Sequence, residues 1–290
     1  MLYLHRTKPT TGMKDYNQSH LPFQGQKRGF SKSFKSCLKH YDDSYTFVDL
    51  FGGSGLLSHI AKHTFPKAEV VYNDYDDFEK RLKNIEAINA LLTSIRRVLG
   101  NFPRKQALTG HLRNSILNLI KEADRRGFVD YTTLSGNLLF SMNYVANFAS
   151  MSREKLYNRV RLSDYNADSY LDGVTIVRSD YRVVFNAFKD LDRVVFLIDP
   201  PYLNTDTTTY ASDQSWRLHD YLDVLQLLLG QNYFYFTSNK SRIVELCEWF
   251  SNTSFTSNPF ANAERWENRV NTSHNSGYID IMYHYKKSDV

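Results

Sequence analysis

Disulfide chemistry has little to work with in this chain. Its two cysteines, Cys37 and Cys247, lie far apart and lack a companion at metal-ligand spacing, so neither a disulfide framework nor a zinc site is expected, and both read as reduced thiols. The nine histidines form no ligand-like cluster along the sequence, and no metal is expected. Long apolar runs are also missing. None approaches the roughly 18 residues a membrane helix needs, and the opening Met1-Leu2-Tyr3-Leu4-His5-Arg6 meets charge too early for a secretion signal. A soluble, cytoplasmic protein is expected. Strong charge of either sign is absent too. The net +5 suits a polyanionic partner without requiring one. No internal repeat is visible. A length of 290 residues accommodates one substantial α/β core and a smaller appended domain.

What the chain does carry is Asp199-Pro200-Pro201-Tyr202 at the end of the apolar run Val194-Val195-Phe196-Leu197-Ile198. The run reads as a buried strand, so the four residues form a corner where a sheet ends. Proline has no N–H, and consecutive prolines restrict the backbone, so this corner presents acceptors. The exocyclic amine of adenine or cytosine is a poor nucleophile because its lone pair is delocalised into the ring. Two acceptors on its N–H bonds, the Asp199 carboxylate and the Pro200 carbonyl, would localise that pair. Tyr202 offers a face on which a planar base stacks, an interaction worth roughly 1–3 kcal/mol. Taken alone, the same four residues also make an ordinary surface turn.

A second corner lies upstream. Residues 46–51 read as a short buried strand, Gly52-Gly53-Ser54-Gly55 as a turn, and Leu56-Leu57-Ser58-His59-Ile60 as the start of a helix. Glycines at the carboxyl end of a strand let a ligand approach the backbone. Their spacing is not G-x-G-x-x-G, which disfavours a dinucleotide pyrophosphate. A second strand, Glu69-Val70-Val71-Tyr72-Asn73-Asp74, ends in an acid about 20 residues beyond the glycines, where a carboxylate accepts from ribose hydroxyls. The implied ligand is a nucleoside without a phosphate chain. Combined with the Asp199 corner, that makes S-adenosylmethionine the leading candidate, whereas the glycines alone fit any tight βα turn.

These motifs, in this order, resemble the Dam-like, α-group DNA N6-adenine methyltransferases over nearly the whole chain after the first twenty residues. Pro22-Phe23-Gln24-Gly25-Gln26-Lys27 looks like the family's N-terminal donor-binding motif, with Gln26 where a second glycine is usual. The stretch from Asp49 through Phe51, Gly53 and Gly55 looks like its glycine motif, Asn73-Asp74 like the ribose-binding acid, and Asp199 to Tyr202 closes the set. The resemblance implies a Rossmann-like α/β methyltransferase sheet with helices on both faces and an inserted, mostly helical target-recognition domain. It implies donor contacts from Phe23, Lys27, Asp49, Phe51, Gly53, Gly55, Asp74 and Asp199, with Asp180 holding the donor's adenine amino group. Asp199, Pro200 and Tyr202 are the implied catalytic residues. Double-stranded DNA is the implied substrate, in a bacterial or phage setting where a cognate restriction endonuclease can be a partner, and the chain is expected as a monomer or weak dimer.

The organisation follows: a polar, flexible arm at 1–20, a catalytic domain from 21–80 and 172–290, and an insertion at 81–171, longer than a methyltransferase core requires. Residues 76–99 carry one apolar helical stripe, Ile85, Ile88, Leu91, Leu92, Ile95 and Val98, with Arg81, Lys83, Arg96 and Arg97 on a solvated face. A helix is expected from Leu112 to Arg126. The stretch 131–170 has the composition of a recognition surface, where Asn143, Arg153, Tyr157, Asn158, Arg159 and Arg161 read bases or grip phosphates; Leu156-Tyr157-Asn158-Arg159 looks like the family's Tyr-Asn-Arg element. A small helical insertion with merely solvated charges has the same composition. A strand is expected at 174–177, a loop over the target pocket at 204–212, helices at 218–229 and 243–250, strands at 233–236 and 278–285, and a loop at 258–276 whose Arg265 and Arg269 touch the DNA backbone. Alternatives kept open are an N4-cytosine DNA methyltransferase, a methyltransferase of RNA or protein glutamine, and a catalytically silent DNA-binding relative.

Overall fold

The computed structural model describes residues 4–7, 14–140, 143–203, 216–253, 257–273 and 276–287. They fall into two compact units, one of Met1–Gln18, Gln26–Asp76 and Ser169–Val290, the other of Ser19–Gly25 and Asp77–Asp168. Residues 21–25, expected in the catalytic domain, group with the second unit. The loop expected at 204–212 lies outside the described residues.

The first unit is built on one sheet. Strands β2 (Thr46–Asp49), β3 (Val70–Asn73), β4 (Thr175–Val177), β5 (Val194–Ile198) and β6 (Asn232–Ser238) run parallel to their neighbours. At one edge β1 (His5–Arg6) pairs antiparallel with β4; at the other, β8 (Ser276–Tyr285) pairs antiparallel with β6, and β7 (Glu264–Ser273) with β8. The spatial order is β1-β4-β3-β2-β5-β6-β8-β7. The chain therefore passes from β2 to β3 on one side and places β5 on the other. At such a switch point, α/β sheets bind ligands beyond the carboxyl ends of their strands.

Both faces of the sheet are covered, which is why its strands read as unbroken apolar runs. Val194, Phe196 and Ile198 of β5 join Val48, Val71, Tyr233 and Tyr235 in a core shared with helices α8 (Tyr181–Phe188), α9 (Leu218–Leu228) and α10 (Ile243–Ser251). The opposite face meets α1 (Ser31–Leu38) and α2 (Leu56–Thr64), with Phe34 edge-on to Phe234 at 4.7 Å and Phe30 to Phe236 at 5.7 Å. Each fully buried apolar side chain contributes about 1.5–3 kcal/mol, so β5, buried at all five positions, anchors the segment that ends at Asp199.

Three expectations are corrected. The first twenty residues are held at several of the described positions: β1 joins the sheet, the Thr7 hydroxyl donates to the Leu171 carbonyl (2.6 Å), and Tyr16 N donates to His59 Nε2 (3.2 Å). Main-chain pairing holds an edge strand whatever its side chains. The loop expected at 258–276 contains β7, a ten-residue strand. It lacks apolar alternation because it is an exposed edge, held by its ladder to β8. Finally, the helix expected over 76–99 breaks at Asn84, whose amide donates to the Lys80 carbonyl (2.8 Å), giving α3 (Phe78–Lys83) and α4 (Ile85–Leu99).

These two helices belong to the second unit with α5 (Gly110–Arg126), α6 (Tyr131–Leu138) and α7 (Phe148–Arg153). Arg81, expected in solvent, is buried there. Its Nε pairs with Asp130 at 3.0 Å, its Nη2 donates to the Pro22 carbonyl at 2.7 Å, and the guanidinium lies over Phe78. Arg96 reaches Asp164 at 2.6 Å. Removing one member of a buried pair strands the other charge and costs about 3–5 kcal/mol. Arg81→Met is therefore expected to lower the unfolding free energy by about that much in urea denaturation, and an unchanged midpoint would refute the buried-pair account.

Candidate active site

Parity along the pleat decides what meets at the switch point. In a strand, alternate side chains share a face. Phe47 packs with Tyr41 and Phe234 with Phe34, so residues in phase with them face α1 and α2. Asp49 is in phase with Phe47, as its bond to Ser58 of α2 requires. Asp49 is opposite Leu197 in the register, so Asp199, two residues on, falls in phase with it. Asp280 sits opposite Ser238, the last residue of β6, and in phase with Phe234. Three carboxylates from three strands thus reach the carboxyl edge on one face. The chain that enters α1 on that face carries Lys27.

Lys27 is buried, and its Nζ meets Asp199 Oδ2 at 2.5 Å. The same ammonium lies 5.4 Å from the centre of the Tyr202 ring. Burial pushes the Asp199 carboxyl above its ordinary pKa, and Lys27 pulls it back. Asp49 is fully buried; desolvation, with Asp199 adding to it, pushes it up to about 7 against the bond donated by Ser58 at 2.7 Å. Its other oxygen, Oδ1, has no hydrogen-bond partner. Burial raises Asp280 to about 6, with Lys27 lowering it and Asp199 raising it. One cation among three carboxylates leaves an excess of acceptor capacity, the complement of a cationic ligand rich in N–H donors.

The glycine corner brings β2 and β3 side by side. A Cβ on Gly52 would lie 2.1 Å from the Tyr72 ring and 2.9 Å from the Asn73 carbonyl, so no side chain fits there. Gly55 adopts φ +71 at the entry to α2, where a Cβ would also strike Leu171 at 2.8 Å. The Tyr72 hydroxyl lies 2.8 Å from the Gly53 carbonyl and 3.0 Å from Asp74 Oδ1. Arg178 Nη2 lies 3.5 Å from Asp74 Oδ2. Asp74 therefore stands beside the glycine turn with its carboxylate fixed by two neighbours.

Beyond the ends of β2 and β4, aromatic rings gather. Phe51 lies 5.0 Å from Tyr181, which stacks on Trp216 at 5.7 Å, and Trp216 packs on Tyr221 at 5.1 Å. The buried Tyr181 hydroxyl lacks a partner. Asp180, just before Tyr181, is half exposed and caps α8, accepting from Arg182 N at 2.8 Å.

The structure thus brings together Lys27, Asp49, Asp199 and Tyr202, and Gly53, Gly55 and Asp74. Phe23 groups with the second unit, edge-on to Phe78 at 5.6 Å. Sequence reasoning missed Asp280, Tyr181 and Trp216. The first sits inside an antiparallel strand, between β6 and β7, that signals no corner, and the aromatics acquire meaning only once strand order is known.

Among the expected DNA-contacting residues of the second unit, Asn143 and Arg153 are exposed. Tyr157 packs on Phe140, Arg159 lies over the same ring, and Arg161 lies over Tyr165. Asn158 is the exception: it is buried, and its amide donates to the Phe102 carbonyl at 2.7 Å, bracing the loop that carries its neighbours. Arg265 and Arg269 are both exposed on β7, in phase with each other, and Arg265 pairs with Glu267 at 2.7 Å.

A family model described as D12 class N6 adenine-specific DNA methyltransferase matches residues 23–265. A putative methyltransferase of Haemophilus influenzae is 35% identical over 283 residues, covering 95% of this chain and 94% of that one. Among solved structures, a precorrin-6y C5,15-methyltransferase from Geobacter metallireducens aligns at TM-score 0.33 and 10% identity, over 90% of this chain and 89% of that one. An rRNA methylase from Streptococcus thermophilus aligns at 0.32 and 8%, over 89% and 96%.

The raised acids have a consequence for stability. A carboxyl whose folded pKa lies above its unfolded value binds extra protons when folded, so stability falls as pH rises from about 4 toward 7. Asp280→Asn removes one such group. It is expected to stabilise the protein at pH 7.5 by on the order of 2 kcal/mol and to do nothing below pH 4, as read by urea midpoints across that range. A pH-independent effect would contradict the assignment.

Proposed function

This chain belongs to the D12 class N6 adenine-specific DNA methyltransferase family, and on that premise we propose that it methylates N6 of an adenine swung out of a specific duplex DNA sequence. The observation that carries the reading is the Lys27–Asp199 pair beside Tyr202. Lys27 offsets part of the desolvation that raises the Asp199 pKa, and the paired carboxylate retains lone pairs for further donors.

S-adenosylmethionine, when bound, supplies a methyl group already activated by the sulfonium charge. The residues present fit it: a glycine turn packed too closely for any side chain, an acid beside it, an aromatic cluster and an excess of buried carboxylate. Asp74 holds the ribose hydroxyls. Phe51, Tyr181 and Trp216 flank the donor's adenine, whose amino group comes to Asp180.

Inside a duplex, N6 is out of reach of a donor at this edge, so the target base is extruded and stacks on Tyr202. Asp199 and the Pro200 carbonyl then accept its two N–H bonds and aim its lone pair at the methyl group. Positive charge growing on nitrogen is offset by Asp199, Asp49 and Asp280, and the proton leaves to solvent. Arg153, Arg159, Arg161, Arg265 and Arg269 supply phosphate and base contacts, with Asn143 and Tyr157 at base edges and Asn158 supporting them. The protein works in the cytoplasm, where its DNA lies.

Asp199→Ala is expected to lower kcat on adenine-containing duplex DNA by roughly 100- to 1,000-fold while calorimetry still detects the donor; near-normal turnover would defeat the role. Asp74→Ala should weaken donor binding at least tenfold, and unchanged affinity would remove it from the ribose site. Mass analysis of digested product should yield N6-methyladenine, and N4-methylcytosine would overturn the substrate.

A further inference from the structure

At the other end of the same edge strands, three side chains with metal-ligand chemistry converge although nothing in their spacing announces it. Cys37 comes from α1, Glu264 from β7 and His284 from β8, and their ligand atoms all lie within 4.8 Å of one another. Cys37 and His284 are buried, while Glu264 opens the cluster to solvent. His284 stands four residues along β8 from Asp280, about 13 Å of strand, so this is not the methyl-transfer site.

We propose that Cys37, Glu264 and His284 bind a zinc(II) ion. The donor set, thiolate, imidazole and carboxylate, is one that zinc favours. Tetrahedral zinc at bond lengths of about 2.0–2.3 Å places its ligand atoms roughly 3.3–3.8 Å apart, a contraction that the exposed Glu264 side chain accommodates. His284 Nδ1 already faces Glu264 Oε2 at 3.4 Å, and its Nε2 lies 2.9 Å from the Tyr41 hydroxyl. That hydrogen bond fixes the ring and the tautomer, the support metal-bound histidines ordinarily have. On the far side, Phe234 stacks on the imidazole at 4.4 Å.

Charge balances as well. Binding displaces the Cys37 thiol proton to solvent, and the resulting thiolate with the Glu264 carboxylate neutralises the divalent ion, so no net charge is buried. His40 follows Cys37 by three residues, and its ring stacks against that of His284 at 5.7 Å. The fourth position, on the side that Glu264 opens to solvent, is left to water. The ion would clip α1 to the β7–β8 hairpin.

The test uses the full chain, stripped with a chelator and titrated with zinc chloride or cobalt(II) chloride. One equivalent of zinc should remain after gel filtration, thermal unfolding should shift upward with zinc concentration, and the cobalt complex should show thiolate-to-metal charge-transfer absorption. Cys37→Ser should abolish that absorption, Glu264→Gln at its exposed position should weaken zinc binding at least tenfold, and Tyr41→Phe should weaken it about 10- to 100-fold. Failure of the unaltered, folded chain to retain zinc at micromolar concentration would overturn the proposal. So would a cobalt spectrum that Cys37→Ser leaves unchanged.

Discussion

A buried ammonium held against a largely buried carboxylate, Lys27 on Asp199, is the contact around which the first unit is arranged. Neither charge is tolerable alone at that depth. Lys27 is positioned by the turn leading into α1, Asp199 by β5, and the faces of both elements are fixed by apolar packing. Any shift of register by one residue would turn Asp199 to the opposite face and leave the ammonium stranded. The pair therefore couples the hydrophobic order of the sheet to the chemistry at its edge. Asp49 and Asp280 add acidity that burial holds partly protonated, which makes the edge responsive to whatever cation or amine enters it.

Much of this frame was legible in the sequence because parallel strands buried on both faces leave continuous apolar runs. Val194 to Ile198 announced both a strand and the corner at Asp199, and the glycine turn after Asp49 announced a close approach that the Tyr72 ring enforces on Gly52. Residues that depend on strand order were illegible. Asp280 gains its neighbours only because β8 inserts antiparallel between β6 and β7. Cys37 finds Glu264 and His284 for the same reason, across more than two hundred residues of chain. Edge strands hid as well: β1 and β7 are held by main-chain ladders, which have no sequence signature.

Charged side chains misled in the opposite direction. Arg81 looks like a surface residue on a helical stripe, yet its helix ends at Asn84 and Asp130 receives its guanidinium. Asn158 sits within a motif that suggests contact with DNA, yet its amide serves two carbonyls of its own unit, Phe102 and Pro103. In both cases composition names the groups available, and only packing says which of them remain outward. The residues flanking Asn158, Tyr157 and Arg159, both lie against the Phe140 ring.

The central claim is that Asp199 and the Pro200 carbonyl grip the amino group of an extruded adenine. A crystal structure with a methylatable duplex and a non-reactive donor analogue tests it most directly. The account requires an adenine outside the stack, its N6 within about 2.6–3.2 Å of both acceptors and its ring on Tyr202. An adenine left in the helix, with Asp199 facing only Lys27, would contradict it.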